Sequence, residues 1–147
     1  MIEYKNSTAT LVFNNRGELL LQLRAAHDDS FPSHWDFSAG GGIDEREDAK
    51  QSASRELQEE LGVTADIEPV SEEHYTYPAW KPDTTREVDL HIFKASHNGP
   101  FTPDPHEVDR VEFFSLDTIK QMLAADDKFH PELAQSIQNG LVDKVAP

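Results

Sequence analysis

The segment from Asp44 to Gly62 constrains the fold more than any other part of the chain. Four apolar residues recur within it at intervals of four, and on an α-helix they would form one stripe that faces a core. These residues are Ala49, Ala53, Leu57 and Leu61. Asp44 followed by Glu47 resembles a capping box, and Gly62 is typical of a helix C-terminus. The pattern predicts an amphipathic helix over Asp44–Leu61.

Short apolar segments separated by turn residues surround this helix and predict strands. The predicted strands before the helix are Ser7–Phe13, Leu19–Arg24 and a short strand within Trp35–Gly42. Those after it are Ile67–Val70, His74–Tyr77, Val88–Ala95 and Val108–Phe114. Further helices are predicted over Leu116–Leu123 and from Pro131 toward Asn139. We therefore expect an α/β sandwich in which helices pack on a mixed sheet.

Composition narrows the class of protein. The 147 residues fit one domain, which we expect to extend over residues 1–147, and 37% of them are hydrophobic. No apolar run is long enough to cross a membrane, and the first residues do not resemble a secretory signal. The chain has no cysteine, which excludes disulfides and thiolate chemistry. We therefore expect a cytoplasmic protein.

The formal net charge of −15 bears on the partners of the chain. Nucleic-acid backbones and anionic membranes would repel so acidic a protein. We therefore expect neither polymeric nucleic acid nor a membrane as a partner. A small anionic ligand stays compatible with this charge if cations mediate its binding.

Three acids near the end of the predicted helix form an unfavourable arrangement. Glu56, Glu59 and Glu60 fall within an arc of about 100° on one helix face. Like charges at this spacing repel, and the helix dipole disfavours each acid by roughly 0.3–1 kcal/mol. Arg55 offsets part of this cost because Glu59 is its (i, i+4) neighbour. Clustered carboxylates suit a hard divalent cation, so we expect Mg²⁺ or Mn²⁺ here.

The three acids belong to a longer pattern. Gly41 is followed after five residues by Glu47, and seven more residues lead to the run Arg55–Val63. A chance match to its seven fixed identities is rarer than about one in a million at ordinary residue frequencies. The segment Gly41–Val63 resembles the Nudix box, and the order of the flanking elements resembles the Nudix fold. The resemblance implies an α/β/α sandwich with a mixed β-sheet.

The resemblance also implies a metal-dependent hydrolase, which splits a pyrophosphate linkage in a small nucleoside-diphosphate-type substrate by attack of water. Glu56, Glu59 and Glu60 would be metal ligands, and Arg55 would orient them by ion pairing. A carboxylate would accept the proton of the water, and the family varies in which glutamate does so. The candidates are Glu59, Glu60 and, from a later loop, Glu107.

Other residues of the box would have structural roles by the same resemblance. Glu47 would brace the loop against the helix, and Gly62 would end the helix. The backbone carbonyl near Gly40 or Gly41 commonly adds a metal ligand in the family. The run Gly40–Gly42 permits the close approach of the backbone that such a ligand requires.

The segment Arg24–Asp36 resembles a Nudix branch that includes isopentenyl-diphosphate isomerase. That isomerase uses a cysteine and a histidine at the positions of Gly40 and Gly42, and this chain has no cysteine. Isomerase chemistry therefore looks lost. A Nudix-fold binding or regulatory domain without turnover is the alternative to a hydrolase.

The sequence says less about the recognition of substrate. Trp35, Tyr77 and Trp80 are candidates for stacking on a base, and Arg24 and Arg86 are candidates for contacts with phosphates. Ordinary packing or surface exposure is the alternative for each of them. The resemblance allows a homodimer and does not choose among diphosphate substrates.

Overall fold

The computed structural model describes all 147 residues, which form one seven-stranded mixed sheet and four helices. The strands are β1 Ile2–Phe13, β2 Leu19–Arg24, β3 Trp35–Asp36, β4 Ala39–Gly42, β5 Ile67–Pro78, β6 Thr85–Ser96 and β7 Val108–Phe114. The helices are α1 Ala49–Leu61, α2 Leu116–Ala124, α3 Pro131–Gln138 and α4 Leu141–Val145. None of these helices has the length and apolar character that a membrane span requires.

β1 organises the sheet. It pairs in parallel with β6 along its whole length, from Ile2 opposite Thr85 to Phe13 opposite Ser96. β5 extends the sheet beyond β6, while β2 with its neighbours β3 and β7 extends it on the other side. β4 pairs antiparallel with the middle of β1, which brings the segment Gly40–Gly42 against the centre of the sheet.

Alternation along the strands divides the core into two layers. Successive residues of a strand point to opposite faces, so Leu11 and Val12 contact different helices. Leu11 packs in a cluster with Leu133 and other residues of α2, α3 and α4. Val12 packs in a second cluster with Leu57 and other residues of α1. Helices therefore cover both faces of the sheet, and the expected α/β/α sandwich with a mixed sheet is confirmed.

The start of α1 differs from the prediction. Its N-cap is Asp48, and the capping box joins Asp48 to Gln51 instead of Asp44 to Glu47. The backbone N–H of Glu47 donates to the carbonyl of Asp44 in a turn that precedes the helix. The side chain of Glu47 accepts hydrogen bonds from Arg55 and Ser52 and is therefore not available as a capping group. The predicted start was wrong because both residues of the expected box have other partners.

α1 ends at Gly62, as the sequence predicts. Gly62 adopts a left-handed conformation with φ of 70°, and its N–H donates to the carbonyl of Gln58. A Cβ at this position would lie 3.1 Å from the Cβ of Thr102. The loop between β6 and β7 therefore packs directly against the end of the helix.

Several strands are longer than predicted. The segments Ile67–Val70 and His74–Tyr77 belong to one strand, because a register shift between Pro69 and Ser71 lets the ladder with β6 continue. β1 and β6 extend further toward their N-termini, since their polar first halves pair with each other. The five residues of α4 are too few to display a helical period and were not predicted.

Candidate metal centre and substrate cleft

Three carboxylates converge beside the C-terminal half of α1. Oxygens of Glu56, Glu60 and Glu107 lie within 4.8 Å of one another. Glu56 and Glu60 are one helical turn apart, so both project from the same face of α1. Glu107 comes from the loop before β7. The structure thus brings two acids of the box together with the acid predicted from a later loop.

The end of α1 positions the loop that carries Glu107. The last carbonyls of a helix have no partners within the helix. Here the N–H of Asp104 donates to the carbonyl of Glu60 at 3.0 Å, and that of Thr102 donates to the carbonyl of Leu61 at 2.8 Å. The N–H of Glu107 then donates to the carbonyl of Asp104 at 3.1 Å. These bonds hold the third carboxylate against the two on the helix.

The burial of Glu60, which is only 3% exposed, dominates the electrostatics of the cluster. Burial raises the pKa of its carboxyl well above the usual range, and Glu56 and Glu107 raise it further. Gln22 opposes this rise by donating from Nε2 to Oε1 of Glu60 at 2.8 Å. Partial desolvation raises the pKa of Glu107 as well, although the residue is exposed, and repulsion by Glu56 is the next cause. Arg55 is paired with Glu56, whereas Glu60 and Glu107 have no ion-pair partner in the chain.

Arg55 connects the acids of the box. Its Nε donates to Glu47 at 2.9 Å, while Nη1 donates to Glu56 and to Glu59 at 3.1 Å each. Ser52 donates to the same oxygen of Glu47 at 3.0 Å. The hydrogen bond to Glu47 is the main reason that the pKa of Arg55 is raised. Arg55 therefore lies where it could orient the acids, and Glu47 lies where it could brace the loop against the helix.

Glu59 stands apart from the other acids. Its side chain is 57% exposed, and its carboxylate pairs with Arg55 rather than joining the three converging carboxylates. The predicted roles of Glu59 in metal binding and catalysis would require its side chain to rotate away from Arg55.

The glycines of β4 allow the backbone to approach the acids closely. A Cβ on Gly41 would come within 2.6 Å of Oε1 of Glu56, and a Cβ on Gly40 would come within 2.6 Å of the backbone of β1. Gly42, in contrast, has open space at its Cβ position. The N–H of Gly40 also donates to Oε2 of Glu60 at 3.4 Å. The backbone at Gly40 and Gly41 thus borders the carboxylate cluster, as the Nudix resemblance implies.

A cavity of about 450 Å³ lies beside the centre, although none of the three carboxylates lines it. Its wall includes Gln22, Gly40 and Gly41, which in turn border Glu56 or Glu60. Tyr77, Trp80 and Glu132 also line it. The cavity therefore connects the surroundings of the carboxylates with aromatic side chains that could hold an organic group.

Trp80 is the most accessible aromatic residue of this cavity. It is 50% exposed, and its ring packs against Phe31 and His34 at centroid distances of 5.1 and 5.5 Å. Tyr77 is buried, packs against Phe31 at 6.1 Å and donates its hydroxyl to Glu132. The supporting rings fix Trp80 in place and leave part of its surface free.

The two arginines expected to contact phosphates line the cavity but already have partners. Arg24 donates to Asp36 at 2.9 Å and to Asp28 at 3.2 Å. Arg86 donates to Glu3, and its Nε is buried without a partner. Arg24 would have to exchange partners before it could bind a phosphate, whereas Arg86 has one nitrogen paired with Glu3 and one buried.

Trp35 lies outside the lining of the cavity. It is 9% exposed and belongs to the core cluster that also contains α3. Its ring packs against Phe114 at 5.2 Å, and Arg110 lies over it at 5.1 Å. This position favours ordinary packing over the expected stacking on a base.

Several lining residues were not predicted from the sequence. Gln22 carries a signal that could have revealed it, since an amide interrupts the apolar run of β2. Asp36, His130 and Glu132 carry no such signal, because only the tertiary structure brings them together. Lys5 also lines the cavity, and the residue is exposed.

Comparison with known proteins agrees with this geometry. A family model described as the NUDIX domain matches residues 3–136. The chain therefore belongs to the Nudix hydrolase family.

Curated relatives carry the same family name. An uncharacterised Nudix hydrolase of Pseudomonas aeruginosa is 32% identical over 106 residues, which are 72% of this chain and 60% of that protein. Another, from Listeria innocua, is 43% identical over 56 residues, which are 38% of this chain and 33% of that protein. The matches thus span between a third and three fifths of these relatives.

The fold has a close counterpart among solved structures. The crystal structure of a MutT protein from Methanosarcina mazei superposes with a TM-score of 0.78 at 20% identity. The match covers 96% of this chain and 94% of the other. At this level of identity the likeness concerns the fold alone.

Proposed function

We propose that the chain is a metal-dependent hydrolase, which cleaves a pyrophosphate linkage in a small nucleoside-diphosphate-type substrate by attack of water. The observation that carries the proposal is the convergence of Glu56, Glu60 and Glu107 within 4.8 Å. Membership of the Nudix hydrolase family supports the class of reaction. The adjoining cavity of about 450 Å³ supports a small substrate.

The donor set fits Mg²⁺ or Mn²⁺. All three converging side chains are carboxylates, and hard oxygen ligands of this kind suit these ions. Burial of Glu60 beside two other acids disfavours its ionised form, which a bound cation would stabilise. Glu59 and the backbone carbonyl near Gly40 are further candidate ligands. A bound ion would neutralise phosphate charge and lower the pKa of the attacking water.

Other residues of the chain would hold the acids in place and accept the proton of the water. Arg55 holds Glu56 in place from one side, and the loop after Asp104 holds Glu107 from the other. We assign Glu107 as the group that accepts the proton of the water. The pKa of Glu60 is raised as well, but its carboxylate is buried and accepts from Gln22, whereas Glu107 is exposed to the solvent that supplies the water. Glu59 and Glu60 are the alternative acceptors.

We place the substrate along the cavity. Its phosphates would lie beside Gly40–Gly42, near the carboxylates, with Lys5 within the same wall. Its organic group would contact Trp80, whose exposed ring can stack on a nucleobase. Tyr77 and Arg86 would complete this end of the cavity.

A substrate screen tests the proposal. Purified protein is incubated with a panel of nucleoside diphosphate derivatives and Mg²⁺ or Mn²⁺, and products are identified by chromatography and ³¹P NMR. We expect metal-dependent release of a nucleoside monophosphate or phosphate, which Glu56→Gln and Glu60→Gln abolish while circular dichroism stays unchanged. Absence of release across a broad panel would contradict the proposal and favour a binding domain.

A further inference from the structure

Gln22 occupies a position where the strand pattern predicts an apolar side chain. It lies in β2 directly after three buried leucines, and Leu20, on the same face, packs in the cluster with α1. Gln22 is only 5% exposed. A buried amide without hydrogen bonds is destabilising, so a glutamine here requires polar partners. Local patterns are broken in this way where function demands it.

Both hydrogen atoms of the Gln22 amide are used within the chain. Nε2 donates to the carbonyl of Ser38 at 3.1 Å and to Oε1 of Glu60 at 2.8 Å. A backbone carbonyl can only accept, so Ser38 fixes which end of the amide faces Glu60. Gln22 thereby connects β2, the segment before β4 and α1 at one point.

The remaining amide oxygen is open to the cavity. Gln22 Oε1 has no partner in the chain, and the only unpartnered side-chain atoms sealed from solvent are Thr8 Oγ1 and Arg86 Nε. Because Gln22 lines the cavity, its Oε1 can accept a hydrogen bond from water.

We propose that Gln22 is a positioning residue of the metal centre, which holds one oxygen of Glu60 so that the carboxylate stays turned toward Glu56 and Glu107. The inference rests on the proposed function, because it assigns Gln22 to the same centre. Side chains that orient metal ligands through hydrogen bonds typically contribute about 10–100-fold to metal affinity or activity.

Binding of Mn²⁺, measured by the electron paramagnetic resonance of the free ion, tests this role without turnover. We expect Gln22→Met, which fills a similar volume without hydrogen bonds, to raise the Kd for Mn²⁺ by about 10–100-fold. At saturating Mn²⁺ its kcat should fall while the KM for substrate changes little. Gln58→Met, at an exposed glutamine of α1, is the matched control and should bind like the wild type.

Gln22→Asn provides a second variant, which keeps the amide but shortens its reach to Glu60. It should also weaken binding of Mn²⁺, and it decides the question if Gln22→Met does not fold. Wild-type affinity in a folded Gln22 variant would overturn the inference. A wild type that binds Mn²⁺ without any turnover would overturn the proposed function alone, whereas a wild type that binds no Mn²⁺ would overturn both.

Discussion

Gly41 and Glu56 are so close that no methyl group fits between them. A Cβ on Gly41 would lie 2.6 Å from Oε1 of Glu56 and 2.8 Å from its carboxyl carbon. Gly41 cannot easily retreat, because it pairs with Thr8 in the middle of β1. The glycine therefore determines where one carboxylate of the centre can stand.

We expect Gly41→Ala to displace Glu56 and to lower the affinity for Mn²⁺ by at least about 10-fold, since the loss of ligand orientation has effects of this size. Gly42→Ala is the control, because nothing lies within 4 Å of its added Cβ. Titration with Mn²⁺ compares the two variants. Equal affinities would show that the close approach at Gly41 is not required.

Binding of the metal should release protons. Desolvation raises the pKa of both Glu60 and Glu107, so the metal-free protein holds protons that a bound cation must displace. The affinity for the metal ion should therefore fall as the pH falls through these raised pKa values. Calorimetry in buffers of different ionisation enthalpy measures the protons released. Binding that releases none, at a pH below the raised values, would contradict the account.

The same pKa shifts bear on the stability of the metal-free fold. A carboxyl with a raised pKa in the folded state makes the fold more stable at low pH than at high pH, because folding disfavours its ionised form. The contribution of Glu60 is therefore fully present below its unfolded pKa and lost as the pH rises through its folded pKa. Glu60→Gln should remove this loss, so that the variant gains stability over the metal-free wild type at neutral pH. Chemical denaturation of both proteins across the pH range measures the difference, and a gain that is independent of pH would contradict this assignment.

The sequence predicts α1 well because its apolar period repeats over several turns. The position of its first residue was not predictable, since Asp44 and Asp48 are equally good caps in isolation. Tertiary contacts decide between them, because Arg55 takes the side chain of Glu47 and Gln51 completes the box with Asp48.

The sequence could not distinguish the two tryptophans. Trp35 is buried because its backbone pairs with the distant segment that leads into α3: its N–H donates to Lys128, and its carbonyl accepts from His130. Trp80 is exposed because it lies in the connection between β5 and β6. Long-range pairing of this kind leaves no trace in local composition, whereas the resemblance named Glu107 as a candidate, and its carboxylate lies beside those of Glu56 and Glu60.

Trp80 should contribute to substrate affinity rather than to the chemical step. Stacking of a base on an aromatic ring contributes about 1–3 kcal/mol, so we expect Trp80→Ala to raise KM by about 10-fold with little change in kcat. Tyr4→Ala is a suitable control, since Tyr4 is 56% exposed and does not line the cavity. Steady-state kinetics on the best substrate of the screen decide the matter. An unchanged KM would remove Trp80 from the binding site.

The buried hydroxyl of Thr8 should lower the free energy of unfolding. Thr8 is 2% exposed, and its hydroxyl has no hydrogen-bond partner. We expect Thr8→Val to raise the free energy of unfolding by about 1 kcal/mol, because it removes a buried, unsatisfied group. Ser38→Ala should act in the opposite direction, since the hydroxyl of Ser38 donates to Leu20 and accepts from Val12. Urea denaturation measures both, and a loss of stability in Thr8→Val would contradict the assignment.

The most direct test of the metal centre is the Mg²⁺-dependent rate of pyrophosphate cleavage in four matched Glu→Gln variants. Glu56→Gln, Glu60→Gln and Glu107→Gln should each lose at least about 100-fold in kcat, as expected for groups that hold the metal or move the proton. Glu59→Gln should lose least, because Glu59 lies outside the converging carboxylates. Wild-type rates in Glu56→Gln and Glu60→Gln would contradict the central claim.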